Sequence, residues 1–325
     1  MTERSTISQQ VQIGLEVTPG TGVPANKLLT SLGFNPSPQL NFVEFAPPGF
    51  KYDSIVALLQ EWSSSALSGY PTYTEIVYPL SSILVAATPS TSGGVSTWTF
   101  DPASGAPDEV KTFTVERGSD VQAERIVHGL VNELGLQFSR TQSGISGSML
   151  GRAMETGITL TASPSSIGLV PILPTQIDVY LDDDAGSLGG TLLTRCLSAN
   201  WSIGNRFSPL WVLDSSLNSF VTIVEIKPDA KVELSVEANS DGMAILDNAR
   251  DGSTKFMRIQ ATGPDIPATA TPYSMTIDVA CKVGGTGGLG DQDGVYKADY
   301  TMRIVHDNDW GQAMEVVVVN DVASL

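Results

Sequence analysis

Three observations predict a mainly β fold. Apolar residues alternate at period two through many short runs, Val232-Glu233-Leu234-Ser235-Val236 among them, as half-buried strands do. The chain's 31 glycines and 19 prolines punctuate those runs, as turns between strands require. Charged residues make up only 16%, below the ~25% of an average soluble domain, while Thr and Val, which suit pleated surfaces, recur throughout. With 325 residues the chain holds two ordinary domains or one elaborated β domain, and its core needs no covalent staples.

Residues 1–10 are polar and read as a loose end. Val11, Ile13, Leu15 and Val17 then alternate with Gln12, Gly14 and Glu16, a strand. It runs into Thr18-Pro19-Gly20-Thr21-Gly22-Val23-Pro24, which has too much Pro and Gly for a helix or a central strand. The segment reads as an arm over residues 1–25, or as an edge strand with a surface loop. Leu40 to Asp53, with Pro47, Pro48 and three phenylalanines, reads as extended and irregular. Ile55–Trp62 suits a short helix or a strand. Ile76, Leu80, Ile83 and Leu84 share a helical face after a Thr72/Thr74 cap, with Pro79 kinking that helix or starting it.

Ser96–Phe100 and Thr112–Glu116 are strands flanking a turn-rich stretch. Glu124–Arg140 and Ser146–Met154 form a long hairpin. A Ser/Pro-bearing connector over 157–174 carries the domain boundary, dividing the chain into 26–165 and 166–325. In the second half Gln176–Leu181 is a strand, and Leu192–Gly204 with Leu210–Asp214 reads as a second long hairpin. Lys231–Glu237 is a strand, and Met243–Ala249 a short helix ending near Gly252. Phe256–Ala261 and Ser274–Val283 are strands, and Tyr296–Val305 with Met314–Asn320 reads as a final pair. A shift of 65 residues lays Val131, Leu136 and Phe138 on Cys196, Trp201 and Ile203, a faint internal duplication.

The formal net charge is −17. Binding to nucleic acid by counterion release needs Lys and Arg clusters, which the sequence lacks. The acidity suits solubility, or a conduit through which DNA passes without sticking. Cys196 and Cys281 sit in apolar strand patterns and read as buried thiols. The N-terminus lacks the apolar stretch of a signal peptide, and no run of about 18 apolar residues marks a membrane span.

No chemistry-bearing constellation stands out. Gly285-Thr286-Gly287-Gly288-Leu289-Gly290 contains G-x-G-x-x-G, but a strand rather than a helix follows it, so a mobile hairpin loop over Gly284–Gly294 is expected. Asp291-Gln292-Asp293-Gly294 fails the calcium-loop spacing. Asp182-Asp183-Asp184 and Asp307/Asp309 read as solvated turns. His128 and His306, the two histidines, have no metal-ligand neighbours in sequence, and no G-x-S-x-G elbow marks a nucleophile. The reading is a non-enzyme without metal or cofactor. Five tryptophans read as packing residues, with a sugar-stacking platform as the alternative.

The segment Gly14-Leu15-Glu16-Val17-Thr18-Pro19-Gly20-Thr21-Gly22-Val23-Pro24-Ala25 is followed by Gly69-Tyr70-Pro71-Thr72-Tyr73-Thr74-Glu75 and Lys111-Thr112-Phe113-Thr114-Val115-Glu116-Arg117-Gly118. Then come Pro174-Thr175-Gln176-Ile177-Asp178-Val179-Tyr180 and Asn200-Trp201-Ser202-Ile203. In this order the stretches resemble the tail tube proteins (major tail proteins) of long-tailed bacteriophages, over most of the chain. The first Gly of the family's N-terminal pattern is displaced here, with Val17-Thr18 before Pro19.

The resemblance implies a tail-tube-type β-sandwich or half-barrel with a flanking short helix, in two tandem copies if the duplication holds. It implies a structural subunit of the virion tail, assembled in the host bacterial cytoplasm, whose rings stack into a tube. Three chains would build a pseudo-sixfold ring if duplicated, six if not. Other tail proteins would be partners, and genomic DNA would pass without specific binding. Val11, Ile13, Leu15, Val17, Pro19, Val23, Gly287, Leu289 and Asp291 are the candidates for ring-to-ring contact. Glu133, Gln137, Arg140, Asn200, Ser202 and Asn205 are the candidates for the lumen strands. The alternatives are a baseplate or tail-terminator ring protein and a carbohydrate-binding β-sandwich.

Overall fold

The computed structural model describes residues 8–325, and strands occupy 53% of the chain against 8% helix, so the fold is mainly β. In chain order the first half holds β1 (Gln10–Leu15), β2 (Lys27–Leu29), β3 (Leu32–Phe45), β4 (Ile55–Gly69), α1 (Val77–Ile83), β5 (Ser90–Ser92), β6 (Val95–Phe100), β7 (Phe113–Gly118), β8 (Ala123–Ser139), β9 (Gln142–Gly151) and β10 (Glu155–Thr156). After β11 (Ser165–Ser166) come β12 (Ile177–Asp182), β13 (Cys196–Gly204), β14 (Phe207–Leu210), β15 (Thr222–Glu225), β16 (Asp229–Glu237), α2 (Ser240–Asp251), β17 (Lys255–Asp265), β18 (Pro272–Gln292), β19 (Val295–Ile304) and β20 (Met314–Asn320).

Two stretches of chain repeat one connectivity. In the first, β3 pairs with β4, β4 with β9, and β9 with β8, all antiparallel. In the second, β13 pairs with β16, β16 with β19, and β19 with β18. A helix follows the second strand in each. β8 and β18 each cross between layers: their early parts pair with β7 and β17, their later parts with β9 and β19. β7 and β17 in turn pair with β1 and β12. The two units join because the end of β8 pairs with β13, from Leu134↔Ile203 to Ser139↔Ser198.

The core lies under these sheets. Leu134, Leu136 and Phe138 of β8, Trp201 and Ile203 of β13, and Val232 and Leu234 of β16 are all buried, which is the expected alternation at work. All seven residues of α1 are buried, and Pro79 sits in its first turn, where its missing N–H costs no helical hydrogen bond. α2 begins at Asn239, whose Oδ1 accepts from the Gly242 N–H at 2.9 Å, and ends at left-handed Gly252 (φ 67°). The Arg206 guanidinium, 2% exposed, ties the units together. It donates to the Glu225 carboxylate, to Asp108 and to the carbonyl of Ile83 at the end of α1.

Several expectations change. Gln10–Leu15 is no free arm: it is inserted between β2 and β7, paired along its whole length with β7 and over Val11–Ile13 with β2. Gln12 and Glu16, on its polar face, are buried too. Met1–Ile7, part of the expected loose end, lies outside the described residues. Of the stretch 40–53, Leu40–Phe45 belongs to a β3–β4 ribbon paired from Leu32↔Gly69 to Phe45↔Ile55 with a register shift at Asn41/Phe42, and the rest is the irregular connection at its tip. Pro36 and Pro38 are tolerated because β3 has no second partner among the described residues.

Leu192–Gly204 and Leu210–Asp214 do not form a hairpin. β13 pairs with β8 and β16, because buried Arg206 and left-handed Asn205 (φ 53°) turn the chain away. Most of the Gly284–Gly294 stretch is strand rather than loop, with glycines accommodating bulges against β19, and only Asp293 and Gly294 form the hairpin turn. β19 and β20 are not partners; they lie end to end along one edge of β18. The 65-residue shift aligns β8 with β13, which are paired neighbours. The repeated connectivity instead matches β3 with β13 and β8 with β18, an offset of roughly half the 325-residue chain.

Candidate functional site

The eight strands β3-β4-β9-β8-β13-β16-β19-β18 form one continuous sheet with one face on the core. Its other face is polar, and one cross-strand row can be followed through the printed registers from edge to edge. The row runs Gly33↔Ser68, Ser68↔Ser146, Ser146↔Gly135, Gly135↔Ser202, Ser202↔Lys231, Lys231↔Arg303 and Arg303↔Lys282. Five small residues from the first part of the sheet thus lead into three basic ones. A neighbouring row brings Gln137, Asn200, Glu233, Thr301 and Gly285 together.

Such small side chains leave the face hollowed. One depression of about 450 Å³ is lined by Glu133, Gly135, Ser146, Ser202, Asp229 and Lys231. Another of about 380 Å³ is lined by Asn200, Glu233, Ser235, Gly285 and Asp299. Two of the lysines on this face are countered locally. Lys231 lies 2.7 Å from Glu233, whose hydrogen bond raises its pKa. Asp299 accepts from Ser235 at 2.7 Å and from Lys297 at 3.0 Å, and these bonds lower its pKa, the serine contributing most. Arg303 and Lys282, the other basic members of the row, pair across strands with each other and make no salt bridge among the described residues.

Four of the six lumen candidates lie on this face. Gln137 pairs directly with Asn200, Ser202 lies one row away, and Glu133 lies beside Gly204. Arg140 and Asn205 sit in the turns just beyond β8 and β13, both exposed. The ring-to-ring candidates scatter. Ile13 is buried in the core, Val11 and Leu15 pack against it, and Val23 is half-buried. Val17 (92% exposed), Pro19, Gly287, Leu289 and Asp291 face solvent. The basic row Lys231, Arg303 and Lys282 escaped sequence reading, because its members converge only through strand pairing.

The Thr18–Pro24 segment is clamped. The buried Glu16 carboxylate accepts from the Gly20 N–H, the Thr112 and Thr114 hydroxyls and the His128 N–H, at 2.8–3.0 Å. Arg152 donates to the Gly20 carbonyl and to that of Val221 in the second unit. Gly20 has φ 79° and its Cα lies so close to Arg152 that a Cβ would stand 2.7 Å from the guanidinium, so glycine is required there. His128, itself at φ 57°, packs edge-on against Phe220, and burial lowers its pKa to about 4.

No group of three or more His, Cys, Asp or Glu side chains that could hold a metal occurs among the described residues. The Asp182 carboxylate is buried and organises a turn by accepting from the N–H groups of Gly189, Gly190 and Thr191. It is therefore not the solvated residue expected. Trp98 and Trp201 are buried, Trp62 packs edge-on against Trp211, and Trp310 against Phe256. Among the described residues no helix is long and apolar enough to cross a membrane. No protein-family model matches the chain, and no curated protein matches its sequence.

Proposed function

We propose that this chain is a structural subunit of a bacteriophage tail tube, whose copies close into rings that stack as a hollow conduit for DNA. The observation that carries the reading is the β8–β13 joint. Two units of one connectivity meet there through unlike edges, the last strand of one pairing with the first strand of the next. The same edges are left over at the ends of the sheet: among the described residues β3 pairs only with β4, and beyond Lys282 β18 pairs only with β19.

An unlike-edge contact that repeats by rotation closes a ring, and ring closure removes exposed strand edges. In this reading the two units are tandem tail-tube folds, each copy supplies eight strands, and three copies make a pseudo-sixfold ring. The polar face would line the lumen. Its small neutral residues and the net charge of −17 suit a surface that DNA slides past. The tail-tube resemblance of the sequence motifs supports the same reading, which places the protein in the virion tail after assembly in the host bacterial cytoplasm.

Negative-stain electron microscopy of the concentrated protein tests it. Hollow filaments with threefold end-on averages are the expected result. Isolated rings that never stack would favour a tail-terminator or baseplate role. A strictly monomeric particle, with tail-initiating partners added, would overturn the proposal.

A further inference from the structure

We infer that the tip of the β14–β15 connection, residues 211–221, is a latch that lifts off the first unit when His128 takes up a proton. The inference stands apart from the tube reading and concerns the chain by itself.

Beyond Leu210 the chain crosses to the first unit, and it returns at Thr222, where β14 and β15 pair. Arg206, just before that pair, holds the stem through Asp108 and Glu225. The tip carries Val212, Leu213 and Leu217 outward, all exposed, and turns Trp211 and Phe220 inward. Phe220, 1% exposed, packs edge-on against His128 with ring centres 5.3 Å apart. Trp211 packs edge-on against Phe220 at 6.1 Å, and Trp62 of β4 against Trp211 at 5.8 Å. A run of edge-on rings thus leads from His128 to the base of the β3–β4 ribbon. Beside it the Glu61 N–H donates to the Asn218 carbonyl at 2.8 Å, and Arg152 donates to that of Val221 at 2.6 Å.

The seated tip opposes a proton on His128. The ring is buried where the β7–β8 register shifts, and its Nδ1 has no hydrogen-bond partner among the described residues. A Cβ on Gly20 would stand 2.7 Å from the Arg152 guanidinium and 2.9 Å from that Nδ1, so the two groups face each other across a bare glycine. Burial first, and then Arg152, lower the pKa of His128, while Glu16 opposes them. The Glu16 carboxylate is already engaged by Gly20, Thr112, Thr114 and the His128 N–H. Thr18–Pro24 brings no charged side chain, and Asp214, the charged residue of the tip, is exposed and accepts from Ser216. A proton on His128 therefore makes a second cation beside Arg152, with no acceptor for its Nδ1–H. Water relieves such a charge, and lifting Phe220 admits water without breaking a strand of either unit. Opening uncovers Phe220, Trp211 and Trp62 together.

Tryptophan fluorescence of the full chain, titrated from about pH 8 to about pH 4, tests it. The expected result is a reversible red shift that begins as the pH passes below about 6.5, with the far-UV circular dichroism unchanged. Trp98 and Trp201 stay in the core, so Trp211→Phe should lose most of the shift. His128→Asn, which accepts the left-handed backbone and takes no proton, should lose all of it. A flat titration of wild type, a shift retained by His128→Asn, or a shift accompanied by loss of circular dichroism overturns the inference. A second measurement needs no variant: hydrogen exchange, corrected for the intrinsic effect of pH. Protection of the Glu61 amide should fall about tenfold or more between about pH 7 and about pH 4.5, while β8 and β13 keep theirs. An unchanged Glu61 amide also overturns the latch. Filament formation is scored separately, so the latch and the tube reading stand or fall independently.

Discussion

The two four-stranded units share connectivity and differ in nearly everything their connectivity does not require. On the polar face the first unit offers Gly33, Ser68, Ser146 and Gly135, where the second offers Ser202, Lys231, Arg303 and Lys282. The connection between the first two strands projects as an apolar ribbon in one. In the other it folds back, its Trp211 against Trp62 and its Phe220 against His128. Buried alternation fixes the order of strands, and the free face and the connections can then diverge without disturbing it.

The largest break in this pairing of units should come from Arg206. Arg206→Met leaves Asp108 buried without its cation, and removing one partner of a buried ion pair costs about 3–5 kcal/mol. Chemical denaturation should show that loss, with the first unit's α1 deprotected earliest in hydrogen exchange because its terminal carbonyl loses the same donor. Next comes Glu75, which has no exposure and accepts from the backbone N–H groups of Thr30, Ser31 and Leu32 and from two hydroxyls, fixing the corner that launches β3. Glu75→Gln should cost about 2 kcal/mol, read as a lower denaturation midpoint at unchanged slope.

A loss of intermediate size is set by pH. His128 stays neutral in the fold down to about pH 4, while the unfolded chain protonates it near the ordinary histidine value of 6.5. Burial is the main cause, Arg152 adds to it, and Glu16 opposes it. Between those values the unfolded state binds more protons, so stability present above about pH 6.5 falls as pH drops toward 4, by on the order of 3 kcal/mol. His128→Asn, which tolerates the left-handed backbone, should flatten that part of the pH profile. Smallest for stability is Ser68→Lys with Ser146→Lys on the exposed face, expected within about 0.5 kcal/mol of wild type. The pair extends the second unit's basic row into the first. Fluorescence anisotropy on assembled protein should then detect salt-sensitive binding of a short DNA duplex that wild type lacks.

Strands whose alternation is regular were legible in the sequence, among them β8, β16 and the early part of β18. The β3–β4 ribbon was not, because Pro36, Pro38, Pro47 and Pro48 break the alternation, and only the absence of a second partner makes two of them harmless to the ladder. The N-terminal strand was legible but its setting was not: Glu16 reads as a solvent-facing residue until Thr112, Thr114 and His128 are brought to it from about a hundred residues away. The polar residues of the large sheet could be nominated singly, yet the row through Lys231, Arg303 and Lys282 exists only once two strand registers are known.

Pro36 and Pro38 carry one more consequence. Each must place its missing N–H on the outer edge of β3, away from the ladder to β4. A strand arriving at that edge finds two donors fewer than a complete edge would give, a loss of about 2 kcal/mol at ~1 kcal/mol each, or roughly thirtyfold in association constant. Two copies meeting alone hold each other weakly, whereas a copy that touches several neighbours at once spreads the deficit over all its contacts. Growth on an existing template would then outrun spontaneous nucleation, and a concentrated pool of free chains would persist until something seeds it.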